Sequence, residues 1–181
     1  QDRRRADIVR SVAADVSAVR LEAAAKRLRR AGVSNVERRL IGPGARWLKR
    51  AASGFERVLV DAPCTGTGTW RRRPDARLRL AETDLLDLAQ KQSVILDRAA
   101  RLVKPGGVLV YATCSVLAEE NEGQVDGFLS RMPGFAVLPL EVVRARSAIA
   151  LPGEGPYLSL TPARHGTDGF FAVALVREAS P

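Results

Sequence analysis

The sequence predicts an α/β fold built on a mostly parallel, doubly wound sheet, and three observations carry this. Short apolar runs alternate with stretches of helical spacing along most of the chain. Two of those runs, Arg57-Val-Leu-Val-Asp61 and Gly107-Val-Leu-Val-Tyr-Ala-Thr113, stop abruptly in small and polar residues, as strands do at the crevice of an open parallel sheet. The last run, Phe170 to Val176, follows a loop-rich stretch at 141–168 rather than a helix, so an antiparallel partner is expected for it at its end of the sheet.

Each element has a local reason. Residues 9–16 read as a strand ending in Asp15, and Ser17 is placed to cap the next helix. That helix has Leu21, Ala24, Ala25 and Leu28 on one face, a Glu22–Lys26 pair on the other, and Gly32 as its stop. A short strand at 35–41, a brief helix over Arg46–Ala52 and a strand from Val58 to Asp61 follow. Residues 65–83 form a polar loop rich in glycine, arginine and proline. Thr83 is expected to cap a long helix over 84–103, with Leu85, Leu88, Ala89, Ile95, Leu96, Ala99 and Leu102 apolar. Lys104-Pro-Gly-Gly107 turns into a strand at 108–112. Glu119 and Glu120 suit the N-terminus of a helix reaching Arg131, which turns Val125, Phe128, Leu129 and Met132 to the core. A strand at 135–139 precedes the terminal loops and strand.

At 181 residues with 46% hydrophobic content, a single domain over 1–181 with a proper core is expected. No apolar stretch is long enough to span a membrane, and with no targeting segment the cytoplasm is the expected location. The 29 basic and 20 acidic residues give a formal charge of +9. Such a balance fits a nucleic-acid partner, although charge runs also serve as plain solvated faces. The basic residues cluster at Arg3–Arg5, Lys26–Arg30, Arg38-Arg39, Lys49-Arg50 and Arg71–Arg73.

Both cysteines, Cys64 and Cys114, stand just past the two abrupt strand ends, where neighbouring strands would aim both thiols at one substrate. Cysteine is strongly nucleophilic near neutral pH, so a paired-thiol reaction site is one reading. Small buried hydrophobes are the other. A structural disulfide is not expected in a domain of this size, and one histidine with two separated thiols makes no metal site. That histidine, His165, is given no catalytic role.

Asp61-Ala-Pro-Cys64-Thr-Gly-Thr-Gly68, Tyr111-Ala-Thr-Cys114-Ser115 and Glu119-Glu120-Asn121, in this order, resemble the Nol/Nop/Sun family of RNA cytosine-5 methyltransferases, the bacterial Sun-type ribosomal RNA enzymes above all. Lys104-Pro-Gly-Gly107 and Thr167-Asp-Gly-Phe-Phe171 fit the same family, and the similarity runs from about Val12 to Arg177. The resemblance implies a Rossmann-like class I methyltransferase sheet and S-adenosylmethionine as cofactor. It implies RNA as partner, ribosomal RNA first and transfer RNA as an alternative. It assigns Cys114 as the nucleophile that adds to cytosine C6 and Cys64 as the thiol assisting release. It places Asp61 against the cytosine ring near N3, and Asp61 with Pro63 beside the cofactor. Pro63 would also stiffen the backbone that presents Cys64.

It further gives Asp15 the cofactor ribose, a role strand-end acids hold in Rossmann-like folds, although an aspartate here equally suits a helix N-terminus. Trp70-Arg71-Arg72-Arg73 would meet the RNA by stacking and phosphate contact, with a solvated basic loop as the plain alternative.

Two departures stand out. The family's first strand and its glycine-rich cofactor loop have no counterpart before Asp15, so this chain is expected to be part of a longer enzyme. Pro43, in Ile41-Gly42-Pro43-Gly44, stands where the family carries an acidic residue toward the adenine. Two other functions compete. One is a non-catalytic RNA-binding or ribosome-assembly module derived from such an enzyme. The other is a DNA cytosine-5 methyltransferase, in which the Pro-Cys thiol, here Cys64, would be the nucleophile.

Overall fold

The computed structural model describes residues 10–42, 45–153 and 155–179. Pro43 and the Arg3–Arg5 cluster lie outside them. The chain divides into two compact units, residues 1–50 and 51–181.

The first unit is a strand–helix–strand element. β1 (Ser11–Asp15) pairs in parallel with β2 (Val36–Leu40), from Ser11 opposite Val36 to Asp15 opposite Leu40. The crossover is α1 (Ala18–Arg30), and α2 (Arg46–Arg50) follows β2. Ser17 caps α1 as expected, its hydroxyl accepting from the Arg20 N–H. Ser17→Ala should cost about 0.5–2 kcal/mol of α1 stability, read as faster hydrogen exchange at the first α1 amides. Glu22 takes a partner other than Lys26. It pairs with Arg38 of β2 at 3.0 Å, because a strand lies within reach of that helix face.

The second unit holds a five-stranded sheet. Its strands are β3 (Phe55–Asp61), β4 (Val103–Thr113), β5 (Phe135–Leu138), β6 (Leu158–Leu160) and β7 (Phe170–Arg177). The order is β3-β4-β7-β5, with β6 also on β7. β3 and β4 are parallel; β7 runs antiparallel to β4, β5 and β6. The expected antiparallel terminal strand is present, and it lies inside the sheet between β4 and β5. The Lys104–Gly107 turn is absorbed into β4 as an irregularity, since pairing steps from Phe55–Val103 to Arg57–Val108.

The helices of this unit are α3 (Glu82–Ala100), α4 (Glu122–Arg131), α5 (Leu140–Arg146) and α6 (Pro162–His165). Leu96 and Ala99 of α3 join Val125 and Phe128 of α4 with Leu109, Tyr111, Val173 and Leu175 of the sheet in one buried cluster. Phe128 and Phe135 meet edge to face at 5.2 Å. Thr83 is not the cap of α3. The helix starts earlier, after Ala81, whose N–H is accepted by the Asp84 carboxylate at 2.9 Å. It also ends earlier, because Val103 is taken into β4 opposite Phe55.

β3 pairs with a strand on one edge only among the described residues, and its Leu59 is 70% exposed. β1 likewise pairs only with β2.

Candidate active site

Parallel pairing of β3 with β4 sets the site. The ladder runs to Asp61 opposite Ala112 and continues one step through Ala62 N–H to the Ala112 carbonyl. Two residues later Cys64 stands beside Cys114, with their Sγ atoms 3.4 Å apart. Both are free thiols and half-buried, so they are shielded yet reachable.

At this distance the two thiols share one proton preference. Hydrogen bonding from Cys64 lowers Cys114 to about 7, against burial and the charge of Asp61, which push it up. The same hydrogen bond, then burial, push Cys64 far up. The hydrogen bond between them thus favours the thiolate at Cys114 and the proton at Cys64.

The two cysteine loops are stitched together. Gly68 N–H donates to the Cys114 carbonyl at 3.0 Å, and the buried hydroxyls of Thr67 and Ser115 lie 3.0 Å apart. Val116 N–H donates to Thr67 Oγ1 at 3.0 Å. A third motif closes over them, as Gly169 N–H donates to the Gly68 carbonyl at 2.8 Å. A Cβ on Gly68 would stand 2.4 Å from the Gly169 carbonyl oxygen, and one on Gly169 would stand 2.4 Å from Val116 Cγ1. Both glycines are thus required by close backbone approach.

The other expected site residues are placed as follows. Asp61 is exposed at the end of β3, near enough for its charge to act on Cys114. The Pro63 carbonyl accepts from Gln92 Nε2 at 2.9 Å. Trp70 is half-buried, with the Arg77 guanidinium carbon 6.0 Å from its ring centroid. Arg72 is tied to Asp168, and Arg71 lies 3.7 Å from the other oxygen of the same carboxylate. Two of the loop arginines are therefore engaged within the protein, and Arg73 is exposed.

In the first unit, Asp15 Oδ1 accepts from Ser17 N–H at 2.8 Å, while Oδ2 faces the Arg20 guanidinium at 3.6 Å. No described donor hydrogen-bonds to Oδ2, so this oxygen suits a ribose hydroxyl. His165 Nδ1 accepts from Thr161 N–H at 3.0 Å, a structural role.

The sequence reading missed a buried network behind the thiols. Gln92, Glu120 and Asn121 bond to the residues that flank the cysteines. Gln92 had a signal, because it falls on the apolar stripe of α3 between Leu88, Ala89, Ile95 and Leu96, where a polar residue needs a partner. The charge distribution also corrects the reading from totals. Residues 1–50 hold 14 basic and 5 acidic residues, residues 51–181 hold 15 of each, and so the unit with the thiols is formally neutral.

A family model described as 16S rRNA methyltransferase RsmB/F matches residues 5–176. The chain belongs to this family. It is 38% identical over 170 residues to ribosomal RNA small subunit methyltransferase B of Salmonella arizonae, a match that covers 92% of this chain and 36% of that protein. It is 49% identical over 124 residues to a Mycobacterium tuberculosis protein named only as a methyltransferase, covering 68% of this chain and 27% of that one. The chain thus spans about a third of the length of the curated relatives it matches. Among solved structures, NSun6 from Pyrococcus horikoshii with SFG superimposes with a TM-score of 0.73 at 28% identity, over 95% of this chain and 42% of that one. PH0851 does so with a TM-score of 0.79 at 35% identity, over 92% of this chain and 36% of that one. Membership accounts for the Rossmann-like α/β fold, and among the described residues no helix is long and apolar enough to cross a membrane.

Proposed function

We propose that this chain forms a single catalytic domain that transfers a methyl group from S-adenosylmethionine to C5 of a cytosine in ribosomal RNA. The observation that carries the reading is the Cys64–Cys114 pair, 3.4 Å apart at the ends of adjacent parallel strands. Family membership and the SFG-containing relative support the cofactor.

The chemistry needs this pair. Cytosine C5 is a poor nucleophile. Addition of the Cys114 thiolate to C6 moves electron density onto C5 and N3, and a proton held between the Asp61 carboxyl and N3 neutralises the negative charge that develops there. S-adenosylmethionine, when bound, supplies an electrophilic methyl group, and Asp15 would hold its ribose. C5 then loses its proton to a base, the C6–S bond breaks, and the electron pair returns to Cys114 as thiolate. Cys64 keeps its proton and can donate to that leaving sulfur, which lowers the barrier to release. The net +9 charge, all of it from residues 1–50, supplies long-range attraction to RNA phosphates. Arg73 and the half-buried Trp70 are the loop residues open to closer contact.

A pH dependence follows. The rate of adduct formation should rise about tenfold per pH unit below 7 and level off above it, as Cys114 ionises. Removing the Cys64 hydrogen bond with Cys64→Ala should move this midpoint upward, because that bond is the main cause of the lowered value. Stopped-flow trapping on 5-fluorocytosine RNA measures both.

The reading is tested by incubating the protein with S-adenosylmethionine and unmodified ribosomal RNA, with transfer RNA in parallel, followed by bisulfite sequencing. One newly protected ribosomal cytosine is expected. RNA binding without any protected base would instead favour a non-catalytic RNA-binding module.

A further inference from the structure

We propose that Glu120 and Asn121 are positioning residues that hold the two thiols in register, Glu120 through the Cys64 loop and Asn121 through the end of β4 that carries Cys114. The assignment rests on the methyl-transfer reading of the thiol pair for its purpose, and on geometry for its substance.

Glu120 is fully buried. Its Oε1 accepts from Thr65 N–H and from Gln92 Nε2, each at 2.9 Å, and its Oε2 accepts from the Thr65 hydroxyl at 2.5 Å. Gln92 Nε2 also donates to the Pro63 carbonyl at 2.9 Å. Both neighbours of Cys64 are therefore fixed to one carboxylate, directly or through a single amide. Asn121 is 4% exposed. Its Oδ1 accepts from Thr113 Oγ1 at 2.6 Å and its Nδ2 donates to the Ser115 carbonyl at 3.0 Å. Both neighbours of Cys114 are fixed to it in turn. The two clamps are consecutive residues, so the two cysteine loops are referred to one point of the backbone. Tyr111 anchors that point, donating to the Glu120 carbonyl at 2.7 Å.

A buried carboxylate is expensive, and here it has three donors and no cation partner among the described residues. Neutral groups can close a core at lower cost. What the carboxylate adds is two acceptor oxygens that take the main chain, the hydroxyl and the amide together, so Thr65 cannot rotate away.

Two ways for Glu120 to act on Cys114 predict opposite signs. The groups facing Cys114 are Cys64, Asp61 and Glu120, with Arg72 close enough for charge–charge interaction. If Glu120 acted by charge alone, Glu120→Gln would remove a negative neighbour and make Cys114 ionise at lower pH. If Glu120 positions Cys64, the same change loosens the Cys64 hydrogen bond and makes Cys114 ionise at higher pH.

The experiment is alkylation of Cys114 by iodoacetamide against pH, followed by peptide mass spectrometry. It uses the wild-type protein, Glu120→Gln, Asn121→Ala and Thr65→Val, each with and without Cys64→Ala. Thr65→Val removes one of the three bonds to Glu120, and it carries the test if the Glu120 variant does not fold. The midpoint should move up by about one pH unit in the clamp variants. It should not move further up when Cys64→Ala is already present, because both clamps act on the Cys64–Cys114 contact, which that change removes. A midpoint that stays or falls in both Glu120→Gln and Thr65→Val, or that rises equally in the Cys64→Ala background, overturns the proposal. If the midpoints behave as expected but the wild-type protein forms no adduct with 5-fluorocytosine RNA, the clamp stands and the methyl-transfer reading falls.

Discussion

Cys114→Ala is expected to reduce methyl transfer by about 10⁴-fold or more, because in the proposed reaction it removes the group that makes C5 reactive. Cys64→Ala is expected to act differently. The adduct still forms, at a pH midpoint shifted upward, but its breakdown slows about 10²-fold. A covalent complex with ordinary cytosine RNA should then accumulate and survive denaturing electrophoresis. The asymmetry follows from the Sγ–Sγ contact of 3.4 Å, which favours the thiolate at Cys114 and the proton at Cys64. Equal losses of adduct in the two variants would contradict separate roles for the thiols. Loss of adduct in Cys64→Ala alone would place the chemistry with the DNA-type enzymes.

Gly68→Ala should be the most damaging single methyl group added near the site. The new Cβ would stand 2.4 Å from the Gly169 carbonyl oxygen and 2.7 Å from the Gly169 Cα, both main chain, so no side-chain rotation relieves the clash. The loop must move, and Gly68 N–H, which holds the Cys114 carbonyl, moves with it. A loss of about 1–3 kcal/mol of stability is expected from overpacking, or roughly 2–4 °C in Tm per kcal/mol for a chain of this size. Methyl transfer should fall more than stability alone accounts for, since a displacement of about 1 Å at a reacting group costs on the order of 10²-fold. Thermal unfolding and single-turnover rates on the same preparation separate the two effects. Unchanged rates with unchanged Tm would mean that the Gly68–Gly169 approach is relaxed in solution.

Much of this architecture was legible because its signals are local. The β3 and β4 runs end where their apolar residues end, and the Ser17 cap and the α3 stripe follow from residue type and spacing. The thiol pair was legible because strand ends in a parallel sheet are neighbours. Long-range choices were less legible. Thr83 and Ala81 compete for the cap of α3, and the sequence cannot weigh the Asp84 carboxylate that decides for Ala81. Glu22 has Lys26 one turn away, yet Arg38 reaches it from a strand placed by tertiary pairing. Arg71 and Arg72 read as an open basic arm until the fold brings Asp168 to them from 96 residues beyond Arg72. Glu120 reads as a helix-start residue and Asn121 only as part of the Glu119-Glu120-Asn121 motif, because nothing local reveals that both side chains turn inward to the cysteine loops. Leu59 and Leu40 lie in the strands expected at 58–61 and 35–41, and they are 70% and 49% exposed on β3 and β2.

In the proposed reaction Cys114 attacks cytosine with Cys64 as its proton-bearing neighbour. Its most direct test is to incubate the protein with S-adenosylmethionine and RNA containing 5-fluorocytosine, whose C5 fluorine cannot leave as a proton does, and to map the cross-linked peptide by mass spectrometry. One adduct is expected, on Cys114, carrying a methyl group on the trapped base. An adduct on Cys64, or methylated RNA without any covalent intermediate, would contradict it.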